Sequence, residues 1–560
     1  MCFNKEGEYI GIKDFSRDSE IFYIQASGSN GFSVCALQYL TNFNNPSSTV
    51  GKIQRAVAYL SENVSQKSKL CKILLLINVH FPIDLIKDDI SARKNSFSRE
   101  YTYYLFAALS QDNGIKPFFN DQEVQSAAIE ELFNRYAGKG GDITKGGICS
   151  VCGEEKEKLY GNFSLLKCYN LDKRGMITGG FHKSQGVHNF PVCRECIADV
   201  TYGLVFAKEN LSFWMSGENY FLLPKVRNVE IKDMLIDILS KRSKRKKIPT
   251  LKEVELQSIT ADESELLEEI AELTKGKDTI TLSLIFYEEK NAAWRIIAEI
   301  NEVLPSRIKA IYAVKEEIDR YSLLFLSQKE RENSRYFFDL RKLKAFAGHD
   351  GKQSRKIFLD WVDAVFRSGK IDRKNLITKL VKTILNQMKE NSDYYAFTVR
   401  DAWAVFLFLI KLKAIDAIAG GKSMKLASTN PYGTFIKENP DFFTQPEQVV
   451  SFLTGCYVSA VIYVQRQSKN KAPFFKKVHG LKLDKRRLQE LYPEARNKLH
   501  QYDKFGLVAK TLDPLLAEAW VKVGNSWDIN DTEATFAFTV GLALSGNIVN
   551  PDKSEQEEDK

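Results

Sequence analysis

Residues 149–196 read CSVCGEEKEKLYGNFSLLKCYNLDKRGMITGGFHKSQGVHNFPVCREC. The stretch opens on one Cys-x-x-Cys pair, Cys149 and Cys152, and closes on another, Cys193 and Cys196. Each pair sets two thiolates at the tip of a tight turn. Two such turns face to face supply four soft ligands in the tetrahedral arrangement that a structural zinc ion takes. Gly153 lets the first turn close back on the metal. Four thiolates fill the coordination shell of zinc and leave no open position, so a metal held here is structural and not catalytic. Cys168 lies between the pairs, either as a replacement ligand or, more simply, as an ordinary buried thiol. His182 and His188 also fall in the spacer, where surface contacts suit them better than ligation beside a complete sulfur set. Gly175, Gly179, Gly180 and Gly186 predict turns and ribbons there rather than a long helix.

Outward from this module, the chain runs to 560 residues, 44% hydrophobic and 27% charged, which suits a soluble protein of two to four domains. Met1 to Phe15 is polar and mixed in charge, so no secretory leader is expected. The strongest apolar run, Ala402 to Ile410, is too short to span a membrane and is followed by Lys411 and Lys413. Nine cysteines without a leader point to the reducing cytoplasm, with Cys2, Cys35, Cys71 and Cys456 as scattered free thiols. Upstream, ILLLINVHF (73–81) reads as a buried strand closed by Pro82, and Gly138 to Gly147 forms a connector. Downstream, Tyr220 to Leu223 and TITLSLIFY (279–287) read as strands, and Glu263 to Leu273 as an acidic amphipathic helix. The zinc module, 149–196, is therefore expected as an insertion in an α+β domain formed by 1–148 and 197–345.

From about residue 350 the pattern turns helical. Leu376, Ile377, Leu380, Val381, Ile384, Leu385 and Met388 recur at helical spacing, as do Leu488, Leu491, Tyr492, Ala495, Leu499 and Tyr502. Val449 to Val464 is apolar nearly all round and predicts a central buried helix. Asn530 with Glu533 fits a capping box before Phe536 to Leu544, and Gly546 suits the stop. The expected architecture is an α+β N-terminal domain with an inserted four-cysteine zinc module, then an all-α helical bundle (350–550) and a disordered acidic tail (551–560).

The formal charge of +9, from 80 basic and 71 acidic side chains, permits nucleic-acid binding without requiring it. Lys241, Arg242, Lys244, Arg245, Lys246 and Lys247 form a dense run, either a solvated linker or a sequence-blind phosphate contact. Lys476, Lys477, Lys482, Lys485, Arg486 and Arg487 surround His479-Gly480 and are placed to track a strand of nucleic acid. Gln465 and Arg466 end the apolar central helix with long polar groups that suit a partner. Catalytic patterns fail. Gly421-Lys422-Ser423 lacks the glycine a phosphate loop needs, since Asp416 stands there. His349-Asp350 resembles a nuclease metal pair but has no companion motif, and neither Gly-x-Ser-x-Gly nor His-Glu-x-x-His occurs. No enzyme activity is expected.

Several blocks in order resemble one family: Cys149-x-x-Cys152-Gly153, Asp172-Lys173-Arg174-Gly175, Gly180-Phe181 and Asn189-Phe190-Pro191-Val192-Cys193-Arg194-Glu195-Cys196. They continue with Val303-Leu304-Pro305-Ser306-Arg307, Phe452-Leu453-x-Gly455 with Gln465 ending that helix, Pro473-Phe474-Phe475 and His479-Gly480-Leu481-Lys482-Leu483. The set is similar to the large subunit of the type I-B CRISPR interference complex, Cascade, over most of 145–550. That resemblance implies a non-enzymatic cytoplasmic subunit that contacts the crRNA 5′ handle and reads the protospacer-adjacent motif (PAM) in duplex DNA. It implies opening of the duplex and stabilisation of the R-loop, with base pairing reading the rest. The implied partners are crRNA, target double-stranded DNA with its displaced strand, other Cascade subunits, and a recruited helicase-nuclease or transposition adaptor. Beside the zinc clamp, Lys139, Lys145, His182, Lys183, Ser184, Gln185 and Asn189 are polar donors positioned to meet the motif DNA. The C-terminal part is often also translated separately in that family, and Met424 or Met388 would serve as the start. Two other readings stand beside this one: a metal-dependent nuclease using His349-Asp350, and a free-standing zinc-stabilised DNA-binding protein.

Overall fold

A computed structural model describes residues 1–13, 32–40, 42, 45–96, 102–111, 114–134, 136, 143–163, 183–226, 233–237, 280–290, 293–348, 351–390, 394–416, 430–469, 472–478 and 482–549. The chain divides into two compact units, Met1–Gly203 and Leu204–Lys560. Within the first unit, β1 (Cys2–Phe3) and β2 (Tyr9–Gly11) precede β3 (Leu37–Tyr39), α1 (Ser47–Asn63), α2 (Lys69–Val79) and α3 (Ile83–Ala92). Then come β4 (Tyr104–Phe106), β5 (Ala108–Gln111), β6 (Gly114–Pro117), α4 (Gln122–Asn134), β7 (Ile143–Ile148), β8 (Glu155–Tyr160) and the first part of α5 (Arg194–Asn210), within which the boundary at 203 falls. A four-stranded sheet runs in the order β2-β1-β5-β6, with β1 and β5 parallel. Phe3, Val50, Ile53, Leu60, Leu74, Ile77, Phe118 and Phe119 form its core with the helices.

The strand expected over 73–81 is a helix. Ser68 caps α2 by accepting from the Leu70 N–H at 3.0 Å. Leu70, Cys71, Leu74 and Ile77 then fall on one buried face at helical spacing, while Leu75, Leu76 and Val79 are exposed. A run of Ile and Leu with no polar interruption hides its period, so spacing alone does not separate the two conformations.

The second unit begins with β9 (Ser212–Met215), β10 (Glu218–Val226), β11 (Ile280–Lys290) and β12 (Ala293–Val303). They form an antiparallel sheet in the order β12-β11-β10-β9, and the strands expected around 220 and 280 lie in β10 and β11. Aromatic ladders hold both faces. Tyr220 sits between Phe213 and Phe286 at 5.9 and 5.2 Å, while Phe221 stacks on Tyr287 at 4.5 Å.

Everything described after β12 is helical: α6 (Pro305–Asp319), α7 (Gln328–Glu332), α8 (Leu340–Ala347), α9 (Gly351–Arg367), α10 (Arg373–Lys389) and α11 (Tyr395–Lys411). The series ends with α12 (Pro431–Glu438), α13 (Pro446–Lys469), α14 (Lys485–Gln501), α15 (Phe505–Val523) and α16 (Asp531–Val549). The seven apolar residues singled out in 376–388 are the buried face of α10. α13 is the central helix. It is long and apolar enough to cross a membrane, but most of it is buried inside the bundle.

α13 and α16 approach backbone to backbone. A Cβ built on Gly455 would stand 2.9 Å from the Leu542 nitrogen and closer still to the Phe538 carbonyl oxygen. A Cβ on Gly541 would stand 3.1 Å from the Cys456 nitrogen and closer still to the Phe452 carbonyl oxygen.

The capping box at 530–533 is half realised. Asn530 accepts from the Glu533 N–H at 2.9 Å, but the Glu533 carboxylate turns to Arg373 at 3.1 Å instead of back to the cap. Gly546 does not stop α16, which continues to Val549. The expected helix 263–273, His349-Asp350, His479-Gly480, Met424 and the tail 551–560 lie outside the described residues.

Candidate metal centre and nucleic-acid surface

The four cysteines converge. The Sγ atoms of Cys149, Cys152, Cys193 and Cys196 all lie within 4.8 Å of one another, and all four are free thiols. Tetrahedral thiolates about 2.3 Å from zinc sit roughly 3.8 Å apart, so the cluster fits the ion with small adjustments.

Each pair arrives by a different local structure. The β7–β8 hairpin carries the first. The Cys149 N–H donates to the Glu154 carbonyl and the Gly153 N–H to the Cys149 carbonyl, both at 2.9 Å. Gly153 adopts φ +73°, the left-handed conformation that closes the turn at little cost for glycine. The second pair is not at the tip of a turn. Cys193 immediately precedes α5 and Cys196 lies in its first turn, three residues on and so on the same side of the helix. The positive end of the helix dipole favours thiolates there.

The two halves are tied together by backbone. The Tyr160 N–H donates to the Val192 carbonyl at 2.9 Å and the Val192 N–H to the Tyr160 carbonyl at 3.1 Å, while Ser150 N–H donates to Pro191 at 2.8 Å. Phe133, Leu159, Tyr160, Phe163, Val192 and Ile197 pack around three of the sulfurs as a small core of their own. Only Cys152 is exposed. At the rim, Glu130 of α4 receives Lys158 at 2.5 Å and Arg194 at 3.2 Å, and Arg194 lies over the Phe133 ring at 4.6 Å.

The sulfurs do not ionise alike. Burial works against the Cys149 thiolate. N–H donors from the backbone of Cys152, Cys193 and Val151 outweigh it and pull this thiol down to about 6. The Val151 and Cys193 N–H groups lie 3.4 and 3.3 Å from the Cys149 sulfur. Burial pushes Cys196 up to about 11 and Cys193 up as well, and hydrogen bonds with neighbouring thiols add to the rise in both.

The expected DNA-contacting loop is anchored to this module. Lys183, Ser184, Gln185 and His188 belong to a 3-10 turn over Lys183–His188, and the Asn189 N–H donates to Gly186 at 3.0 Å. That turn docks against Gly161, where a Cβ would stand 2.6 Å from Val187 Cγ1 and closer still to the Val187 nitrogen. Lys145 lies in β7 opposite Lys158, two residues from the Ile143–Tyr160 pair. Strand and turn therefore meet at residues 160 and 161. Lys139, His182, Cys168, Lys241, Arg242, Lys244 and Arg245 lie outside the described residues.

In the second unit the expectation for Gln465 is corrected. Its side chain is 3% exposed, and its carboxamide oxygen accepts from the Phe474 N–H at 2.9 Å, so it braces the turn at Pro473–Lys477 from inside. Arg466 and Lys476 are exposed. Lys477 pairs with Glu494 at 2.7 Å, and Glu490 takes Arg486 at 3.2 Å and Arg487 at 3.0 Å. Much of the basic cluster is thus neutralised by α14's own acids.

One constellation was missed by sequence reasoning. Glu218 at the start of β10, 6% exposed, receives Lys344 of α8 at 3.0 Å and Arg355 of α9 at 2.7 Å. Three elements far apart in sequence supply it, so no local spacing betrays it.

A model of the central domain of CRISPR-associated protein TM1802 matches residues 146–303, and a model of its C-terminal domain matches residues 337–556. No curated protein matches the chain.

Proposed function

Since the chain carries the central and C-terminal domains of the CRISPR-associated TM1802 family and is a CRISPR-associated protein, we propose that it is the large subunit of a type I-B RNA-guided surveillance complex. In this reading it works in the cytoplasm without catalysing a reaction. It contacts the crRNA 5′ handle, recognises the protospacer-adjacent motif in target duplex DNA, and helps open the duplex and hold the displaced strand in the R-loop. It also offers the other subunits a platform on which a helicase-nuclease or a transposition adaptor is recruited.

The observation that carries the reading is the closed four-sulfur cluster with the 183–189 turn seated directly on its frame. Cys149, Cys152, Cys193 and Cys196 would hold zinc, which supplies a crosslink between hairpin and helix when bound. A short duplex motif is read by hydrogen bonds from a few side chains held at fixed positions against base edges. Loops alone hold positions poorly, and a loop backed by a crosslinked core holds them well. Gln185 and Asn189 bring amide donors and acceptors suited to base edges, and Lys145 and Lys183 bring charges suited to the phosphates. Base pairing with the guide is then left to read the remainder of the target.

Co-purification tests the assignment. Expressed with its neighbouring subunits, the chain should travel in a ribonucleoprotein and be lost from it when the guide RNA is absent. A chain that binds one DNA sequence tightly by itself, with no guide and no partner, would instead be a free-standing DNA-binding protein.

A further inference from the structure

The cluster around Glu218 lines a cavity of about 550 Å³ in the second unit. Its described lining includes Gly217, Glu218, Arg341, Lys344, Gly348 and Arg355. The volume lies within the few hundred to about 1,000 Å³ typical of small-molecule sites. Among the described wall residues Arg341, Lys344 and Arg355 are cationic and Glu218 is anionic. Asp339 and Glu288 pair with Arg341 and Arg355 at 2.5 and 3.7 Å, so every cation of the wall has a carboxylate partner with which a ligand must compete.

The arrangement is built rather than incidental. Glu218 is almost fully buried and gives one carboxylate oxygen to Lys344 and the other to Arg355. Lys344 is fixed a second time by the Ser216 carbonyl at 2.6 Å. One acid therefore holds an ammonium and a guanidinium side by side in the lining of a cavity that a second guanidinium, Arg341, also lines. Gly217, Gly348 and Gly351 leave part of the lining without side chains. Gly217 and Gly348 have φ +90° and +119°, and a Cβ on Gly217 would meet the Lys344 nitrogen at 3.0 Å. A Cβ on Gly348 would meet the Ser354 hydroxyl oxygen at 3.0 Å.

A guanidinium beside an ammonium matches tetrahedral oxyanions, the first by its fork and the second as a point charge. We infer that this cavity is a phosphate-binding subsite that takes one backbone phosphate of a nucleic-acid strand. The inference deepens the proposed function and rests on it for the identity of the strand. It assigns phosphate contact to Arg341, Lys344 and Arg355 of the second unit, apart from the metal module.

Purified full-length protein is titrated with inorganic phosphate by phosphorus NMR, and separately with a short oligothymidylate at fixed ionic strength. R341Q and R355Q should each weaken both ligands by about fivefold or more, the usual worth of one charge-assisted contact. E218Q removes the carboxylate charge that competes with a ligand for Lys344 and Arg355 while keeping an amide oxygen to accept from them, and should tighten both by about threefold. A damaged fold cannot tighten binding, so the E218Q result stands clear of any loss of stability. Unchanged phosphate binding in all three variants, or weaker binding in E218Q, overturns the subsite. Phosphate binding that follows the variants while oligothymidylate binding ignores them overturns the nucleic-acid assignment. Failure of the chain to co-purify with guide RNA would strike the subunit reading and leave these titrations to stand.

Discussion

Gly455→Ala tests the closest approach in the bundle. In an exposed helix interior the change would be favourable by up to about 1 kcal/mol. Here the added methyl would stand 2.9 Å from the Leu542 nitrogen, and the Phe538 carbonyl oxygen is nearer still. Both are backbone atoms of a packed helix, so no side chain can swing away. Carbon needs about 3.5 Å from such neighbours, which requires α13 and α16 to part by roughly 1 Å. A radial gap of that size forfeits a quarter to a half of each contact along the seam. Overpacking of this kind costs about 1–3 kcal/mol, and the lost seam contacts bring the expected net destabilisation to about 2–4 kcal/mol. Gly541→Ala meets the Phe452–Cys456 backbone in the same way and should cost a similar amount. The double variant should cost clearly less than the sum, because helices already forced apart admit the second methyl. Gly546→Ala is the control in the same helix. Beyond its own helix backbone and chain neighbours, no atom of the described residues lies within 4 Å of its Cβ position, so it should be neutral or mildly stabilising. Urea unfolding followed by near-ultraviolet circular dichroism reads the bundle through its buried Trp403. If Gly455→Ala and Gly546→Ala shift the midpoint alike, the close crossing is wrong. If Gly455→Ala and Gly541→Ala simply add, the two sites are not one seam.

Metal analysis of the purified chain should give one zinc, and Cys193→Ser should lose it. Acid should release the metal because the ligands bind it as thiolates, so affinity falls as pH drops and protons compete. Limited proteolysis should then cut first at the 149–153 knuckle and the start of α5, while retention of metal by Cys193→Ser would remove Cys193 from the ligand set. Gly161→Ala should displace the 183–188 turn, which its methyl would strike, and weaken target-duplex binding with the metal content unchanged. Unaltered duplex binding in that variant would separate the turn from DNA recognition.

The sequence disclosed what depends on spacing. The buried face of α10 is the seven-residue set its periodicity defines, because β-branched and unbranched apolar residues there alternate with polar ones. The cysteine cluster was legible because ligand spacing is itself the signal. Segment 73–81 reads as a strand because Ile73 to Ile77 carries no period and Asn78 and His80 then alternate with apolar residues, while the decisive residue, Ser68, stands outside it. Gln465 looked like a partner contact because it is polar at the end of an apolar helix, yet its target is the backbone of Phe474, nine residues on. Glu533 had the spacing of a capping partner, and Arg373, 160 residues away, offered its carboxylate a stronger interaction. The Glu218 cavity was beyond reach for the same reason, since it is made wholly of long-range contacts.

The metal centre and the loop it supports need not rise and fall as one. A small finger with no core of its own folds only when metal binds. This module has a core: Phe133 and Tyr160 pack at 6.1 Å, and Leu159, Phe163, Val192 and Ile197 close around them against α4. The Tyr160–Val192 bridge joins the two halves by backbone hydrogen bonds that involve no sulfur. Loss of the ion therefore releases the knuckle at 149–153 and the start of α5 first, because those are what the sulfurs join directly. The turn at 183–188 rests on Gly161, one residue beyond that bridge, and should keep its seat longer. Metal supply would then grade the precision of the loop rather than switch the protein between folded and unfolded states. That is the behaviour expected of a scaffold and not of a reaction centre.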